Sequence, residues 1–267
     1  MRLKFWFSFG FWVLFGFWIL SFGFYSFASA KEYDGIWFLG LNQNNVLLKN
    51  FRVRKAIGLA IDRFYIAGDI VSAEVVPASF VPPGMLGYDS DLKSDQHNLA
   101  AAKKLLHQAG YSPGNRHLKN LTLLHTDGLK TILIAQQIQG NLLELGLQIQ
   151  LVQISFAEQA KWNEALASQK YDLFLMGYKA DINELFSTEE AASAPIIDSY
   201  DLLEPLFKTR GEANFTGYSN TKVDQMLAQL SGINPALKEE RHNKLKEINR
   251  ELYKDRPAVL LFYIDKL

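Results

Sequence analysis

Leu147, Ile149 and Leu151 alternate with Gln148 and Gln150, and this period of two predicts a half-buried strand over Leu147–Ile154. The preceding stretch has a different period. Its apolar residues recur at helical spacing from Leu129 to Leu145, and Gly146 follows where a left-handed cap would close a helix. Apolar runs predict strands at Leu121–His125 and Tyr171–Met176, and helical spacing returns at Ala157–Ala167. The resulting order, β-α-β-α-β, predicts parallel strands joined by right-handed crossovers.

The flanking regions read in the same way. Ile36–Leu41 predicts a buried strand. Asn50 is placed to cap a helix carrying Phe51, Val53, Ala56, Ile57 and Ala60, and Asp62 to cap another reaching about Val71. Pro77, Pro82, Pro83 and Gly84 then forbid regular structure. Ser94 or Asp95 is expected to open a helix with Leu99, Ala102, Leu105 and Leu106 on its inner face, ended by Gly110. Amphipathic helices are expected near Lys222–Leu230 and Pro235–Tyr253, and an apolar strand at Ala258–Tyr263. No repeat and no linker divides residues 31–267.

The first thirty residues break the pattern. Of 35 aromatic residues, 13 lie in the first 27 positions, and Phe5–Phe27 carries no charge. Arg2 and Lys4 precede this run and Ala28-Ser29-Ala30 follows it, the layout of a secretory signal peptide. The run is also long enough to span about 30 Å of hydrocarbon as an uncleaved, N-terminal hydrophobic helix. Residues 1–30 are thus a signal peptide or a membrane anchor formed by residues 5–27. Either reading exports the remainder through the inner membrane to a periplasmic or extracytoplasmic location.

Composition narrows the chemistry. The 267 residues carry 28 basic and 28 acidic side chains and no Cys. From Lys31 onward the balance is 26 basic against 28 acidic, so nucleic acid is excluded as a partner. Zero Cys excludes disulfides, thiolate metal sites and a lipidated cysteine. His97, His107, His117, His125 and His242 show no metal-ligand spacing and read as surface or loop residues. Walker, G-x-S-x-G and G-x-G-x-x-G motifs are absent. The expectation is a protein without enzymatic activity, metal or cofactor.

One acid stands out. Asp181 lies five residues past the predicted strand Tyr171–Met176, where ligands of open α/β sheets bind. Beside Tyr178 it could pair with a cationic ligand group. It could equally make an Asx turn or cap a helix near Asn183–Ser187.

Five phrases carry a resemblance. They are Phe51-Arg52-Val53-Arg54-Lys55-Ala56-Ile57 with Ala60-Ile61-Asp62-Arg63; Phe80-Val81-Pro82-Pro83-Gly84 with Gly87-Tyr88-Asp89; Ala101-Ala102-Lys103-Lys104-Leu105-Leu106 with Ala109-Gly110-Tyr111; Gly177-Tyr178-Lys179-Ala180-Asp181; and Asn214-Phe215-Thr216-Gly217-Tyr218-Ser219-Asn220 with Val223-Asp224. In this order they resemble the bacterial extracellular solute-binding proteins of the oligopeptide, dipeptide and nickel class, the receptors of ABC importers. The likeness spans about residues 36–264.

The resemblance implies a type II periplasmic-binding-protein-like α/β lobe, a mixed and mostly parallel sheet flanked by helices. In peptide-binding members the Asp at position 181 pairs with the α-ammonium of the ligand. Ligand-binding positions are thereby implied at Asp181, Tyr178, Asn214 and Tyr218. The sequence departs from the family at Tyr178, usually Trp, and at Ile182, often Tyr. Family members are longer, so residues 31–267 match the second lobe, with the first lobe missing. The implied function is the substrate-binding component, or a single-lobe fragment, of a peptide-type ABC importer. Its partners would be a small peptide or other small solute, the importer's permease, and a separately encoded first lobe. The alternative is a membrane-anchored, non-binding structural or interaction remnant.

Overall fold

A computed structural model of the chain describes residues 31–180 and 197–266. Five strands form one sheet: β1 (Tyr33–Leu41), β2 (Leu121–Thr126), β3 (Ile149–Ile154), β4 (Leu173–Lys179) and β5 (Ala258–Asp265). Their order across the sheet is β3-β2-β4-β1-β5. β2 runs parallel to both β3 and β4, whereas β1 is antiparallel to β4 and to β5. Four strands therefore share one direction, and only β1 opposes them. The expected mixed, mostly parallel α/β sheet is what the chain forms.

Seven helices of eight or more residues flank it among the described residues: α1 (Phe51–Ala60), α2 (Leu99–Gln108), α3 (Leu129–Leu145), α4 (Gln159–Ala167), α5 (Tyr200–Phe207), α6 (Thr221–Ser231) and α7 (Lys238–Asp255). The strands bury both faces. On one, Leu39, Leu41, Leu123, Leu173 and Leu175 meet Val53 and Ile57 of α1, Leu106 of α2, and Ile134 and Ile138 of α3. On the other, Phe38, Phe174 and Met176 meet Trp162 of α4, Leu203 of α5, Leu227 of α6 and Leu245 of α7. Burial on two faces explains why β1 and β4 read as nearly continuous apolar runs. β3, at the sheet's edge, keeps its two Gln side chains in solvent and so alternates.

Local signals account for most boundaries. The Asn50 side chain accepts from the Arg52 amide at 2.9 Å and starts α1. Asp62 accepts from the Tyr65 amide at 3.0 Å, and the turn it starts continues as a π-helix over Ile66–Val71. α3 spans the residues expected and ends at Gly146, where φ is +101°. Gly110, at φ +89°, ends α2. Three expectations are corrected. α2 is opened by Asn98, whose side chain accepts from the Ala101 amide at 2.9 Å, rather than by Ser94 or Asp95. β4 continues beyond Met176 to Lys179 because Gly177, Tyr178 and Lys179 pair with Trp37, Ile36 and Gly35 of β1. His125 is buried within β2, its Nδ1 2.8 Å from the Thr126 carbonyl oxygen, and is no surface residue. Helix α5 was not anticipated at all.

The N-terminal hydrophobic segment, residues 1–30, and the helix expected near Asn183–Ser187 lie outside the described residues. Among the described residues no helix is long and apolar enough to cross a membrane.

Candidate functional site

The parallel strands β2, β3, β4 and β5 end at one edge of the sheet, and β1 begins there. Loops at such a carboxyl edge carry few ladder hydrogen bonds of their own, so their polar groups remain available to ligands. The loop after β2 turns to α3 on one face and the loop after β3 to α4 on the other. Asp127 ties the two loops together, accepting from Ser155 Oγ at 2.6 Å and from the Phe156 amide at 2.9 Å. The Phe156 amide bond, with the Ser155 bond next, holds the Asp127 carboxyl below its ordinary range. Two large apolar side chains at this edge stand in solvent, Leu129 at 74% and Phe156 at 68% exposed.

β4 reaches the same edge in the middle of the sheet. Tyr178 is half-buried beside Ile36, its register partner, and packs on the aromatic-rich core. Gly177 lies under Trp37, which stacks on Phe262 with ring centroids 5.6 Å apart. A Cβ at position 177 would come 2.5 Å from the Trp37 indole nitrogen, so the tight pairing requires glycine. Lys179 Nζ pairs with Asp34 Oδ2 at 2.9 Å, and the Ala180 amide donates to the Asp34 carbonyl at 2.8 Å. Asp34 is buried, and its Oδ1 has no hydrogen-bond partner. This pair was missed in the sequence, although an acid adjoining the apolar run Ile36–Leu41 is the signal that marks it. Asp181 lies outside the described residues, but β4 brings the chain to within two residues of it, not five.

Asn214 and Tyr218 sit elsewhere. The Gln43 amide, just past the carboxyl end of β1, donates to the Thr216 carbonyl at 2.7 Å, and Phe215 meets Phe174 edge-on. That is the start of β4, six residues and roughly 20 Å along the strand from Lys179. Asn214 is fully engaged in its own turn. It donates to the carbonyls of Lys208 (2.9 Å) and Tyr218 (2.8 Å) and accepts from Thr216 Oγ1 (2.8 Å) and the Tyr218 amide (3.2 Å). The buried Tyr218 hydroxyl donates to Asp255 Oδ2 at 2.6 Å; burial first, and that carboxylate second, push its pKa well up. The four sequence candidates therefore do not form one cluster: Tyr178 and the chain leading to Asp181 stand at the carboxyl edge, Asn214 and Tyr218 at the amino edge. Among the described residues no group of His, Asp and Glu could hold a metal ion.

The model of the bacterial extracellular solute-binding proteins, family 5 Middle, matches residues 23–188. The oligopeptide-binding protein AppA of Bacillus subtilis is 23% identical over 243 residues, which cover 85% of this chain and 41% of AppA. Among solved structures, DppA of Helicobacter pylori in complex with the peptide STSA superposes with a TM-score of 0.72 at 20% identity, over 88% of this chain and 43% of that one. NikA of Staphylococcus aureus in complex with Ni(L-His)2 gives 0.71 at 23% identity, over 88% and 46%. The chain spans less than half the length of these relatives.

Proposed function

The chain belongs to the bacterial extracellular solute-binding proteins of family 5, and from that premise we propose that residues 31–267 form one wall of a solute site at the carboxyl edge of the sheet. The segment Gly177–Asp181 is its recognition element. Asp181 pairs with a cationic group of the solute, and the Tyr178 ring lies alongside. The observation that carries this reading is the anchoring of β4 up to Ala180, whose amide is held by Asp34 beside the Asp34–Lys179 ion pair. Recognition from a fixed strand end costs little ordering on binding.

The occupant is a small peptide or another small solute with an amino group. A second lobe supplies the opposite wall, and the exposed Leu129 and Phe156 suit cover by such a lobe. The solute passes to an ABC importer permease. The chain acts outside the cytoplasm, exported or anchored by residues 1–30, and performs no chemistry on its ligand. Asn214 and Tyr218 shape the amino edge and take no part in binding.

With one wall only, the ion pair at Asp181 stays in solvent, where such pairs contribute about 0–1 kcal/mol. Isothermal calorimetry of the protein with a free-amino tetrapeptide should therefore show weak binding. Acetylation of the peptide's amino terminus, or Asp181→Ala, should remove it. Tight, stoichiometric binding by the chain alone, or binding indifferent to both changes, would overturn the reading.

A further inference from the structure

A second site lies at the opposite edge, where β5 begins. There α1, the end of α7 and the loop joining Val71 to Leu99 line a partly open cavity of about 30 Å³. That volume suits one or two water-sized occupants. Its walls carry four cationic side chains, Arg54, Arg63, Lys93 and Arg256, against a single carboxylate, Asp95.

The hydrogen bonds leave this imbalance standing. Arg54 is buried and donates only to carbonyls, those of Leu48, Lys49, Asp255 and Arg256. Arg63 is buried and donates to the carbonyls of Pro77, Leu260 and Asp95. A guanidinium carries five N–H donors, so Arg63 keeps two that no described residue accepts. Asp95 spends its carboxylate on Arg256, at 2.5 Å. The next acid, Asp255, turns its carboxylate to Tyr218 and Asn220, each at 2.6 Å. Lys93 is exposed and donates to the Ser90 carbonyl. Ser94 lines the cavity with a buried hydroxyl that has no partner. Two buried guanidinium groups thus bond no carboxylate directly, although Asp255 lies near Arg54 and Asp95 near Arg63, and an unused hydroxyl donor joins them at one void. Burying an unpaired charge is expensive, and its burial pushes the pKa of both Arg54 and Arg63 down.

We propose that this cavity binds one small monovalent anion of halide size, held by Ser94 and the free donors of Arg63. The space fits a halide better than an oxyanion such as phosphate. A halide accepts from the donors left free and offsets part of the charge of Arg54 and Arg63.

The test uses the full chain at constant ionic strength while chloride replaces gluconate, an anion too large to enter. The thermal midpoint should rise saturably, by about 3–6 °C at tenfold excess over the dissociation constant. Ser94→Ala should weaken that dependence while leaving the midpoint in gluconate near that of the parent protein. In crystals grown with bromide, an anomalous peak should lie between Ser94 and Arg63. A midpoint indifferent to chloride, a chloride effect unchanged in the Ser94→Ala protein, or an ordered water alone in bromide crystals would each overturn the proposal. The cavity lies at the start of β5, the edge of the sheet opposite Lys179 and Ala180, so its failure leaves the solute-binding reading untouched.

Discussion

Replacing Asp89 with Asn removes a negative charge from the point where the proline-rich loop meets α7. The Asp89 side chain is fully buried, and it accepts from Lys246 Nζ at 3.1 Å, from Arg250 Nε at 2.5 Å and from the Asp91 amide at 3.2 Å. Breaking a fully buried ion pair costs about 3–5 kcal/mol. Here the cost is smaller, because Arg250 is 47% exposed and water can take over the abandoned cations. The loss should match that of hydrogen bonds to charged groups, about 1.5–3 kcal/mol. For a chain of this size that lowers the melting temperature by about 3–12 °C. Desolvation pushes the Asp89 carboxyl up, but its bonds to Arg250 and Lys246 outweigh burial and hold it below its ordinary value. A depressed carboxyl stabilises the fold above its unfolded-state pKa and loses that contribution as pH falls through its native one. The gap between parent and Asp89→Asn should therefore be widest near neutrality and shrink in acid. Thermal melts followed by circular dichroism from pH 7 downward measure it. An unchanged melting temperature at pH 7, or a gap that stays constant into acid, would refute this assignment.

Further outcomes follow from the same geometry. Gly177→Ala should displace Trp37 from Phe262 and cost about 1–3 kcal/mol, seen as altered tryptophan emission together with a lower urea midpoint. Tyr218→Phe should destabilise by about 1.5–3 kcal/mol in urea through loss of the bond to Asp255, yet leave any peptide affinity unchanged. Leu123→Ala, in the fully buried middle of β2, should cost about 2–5 kcal/mol by the same assay. Phe156→Ser should leave the unfolding free energy in urea within about 0.5 kcal/mol of the parent, since its ring is in solvent.

Where one physical signal dominated, the fold was legible in the sequence. The helical apolar spacing of Leu129–Leu145 and the glycine after it defined α3 to its last residue. Strand ends were less legible, because pairing with a distant partner decides them: Gly177 and Lys179 have weak strand preference but lie opposite Trp37 and Gly35. The start of α2 was misread for a similar reason. Asp95 looks like a cap, but its carboxylate is taken by Arg256, and the amide of Asn98 is fixed by the Leu59 carbonyl, leaving the Asn98 side chain to cap. Helix α5 escaped notice because Pro205 interrupts a short run whose helicity comes from burying Leu202, Leu203, Leu206 and Phe207. At the site, residue type alone could not separate Asn214, which ties its own turn, from a residue facing a ligand. Only the strand directions assign the two phrases to opposite edges of the sheet.

Under the proposed function, a solute meets this chain at the end of β4. Amide chemical-shift perturbation, read by nuclear magnetic resonance as a free-amino tetrapeptide is added up to millimolar concentration, tests it most directly. Binding there should give shifts confined to Gly177–Asp181 and the loops around Asp127 and Phe156, lost with an acetylated peptide. Shifts centred on Asn214–Tyr218, or none at any concentration, would contradict it.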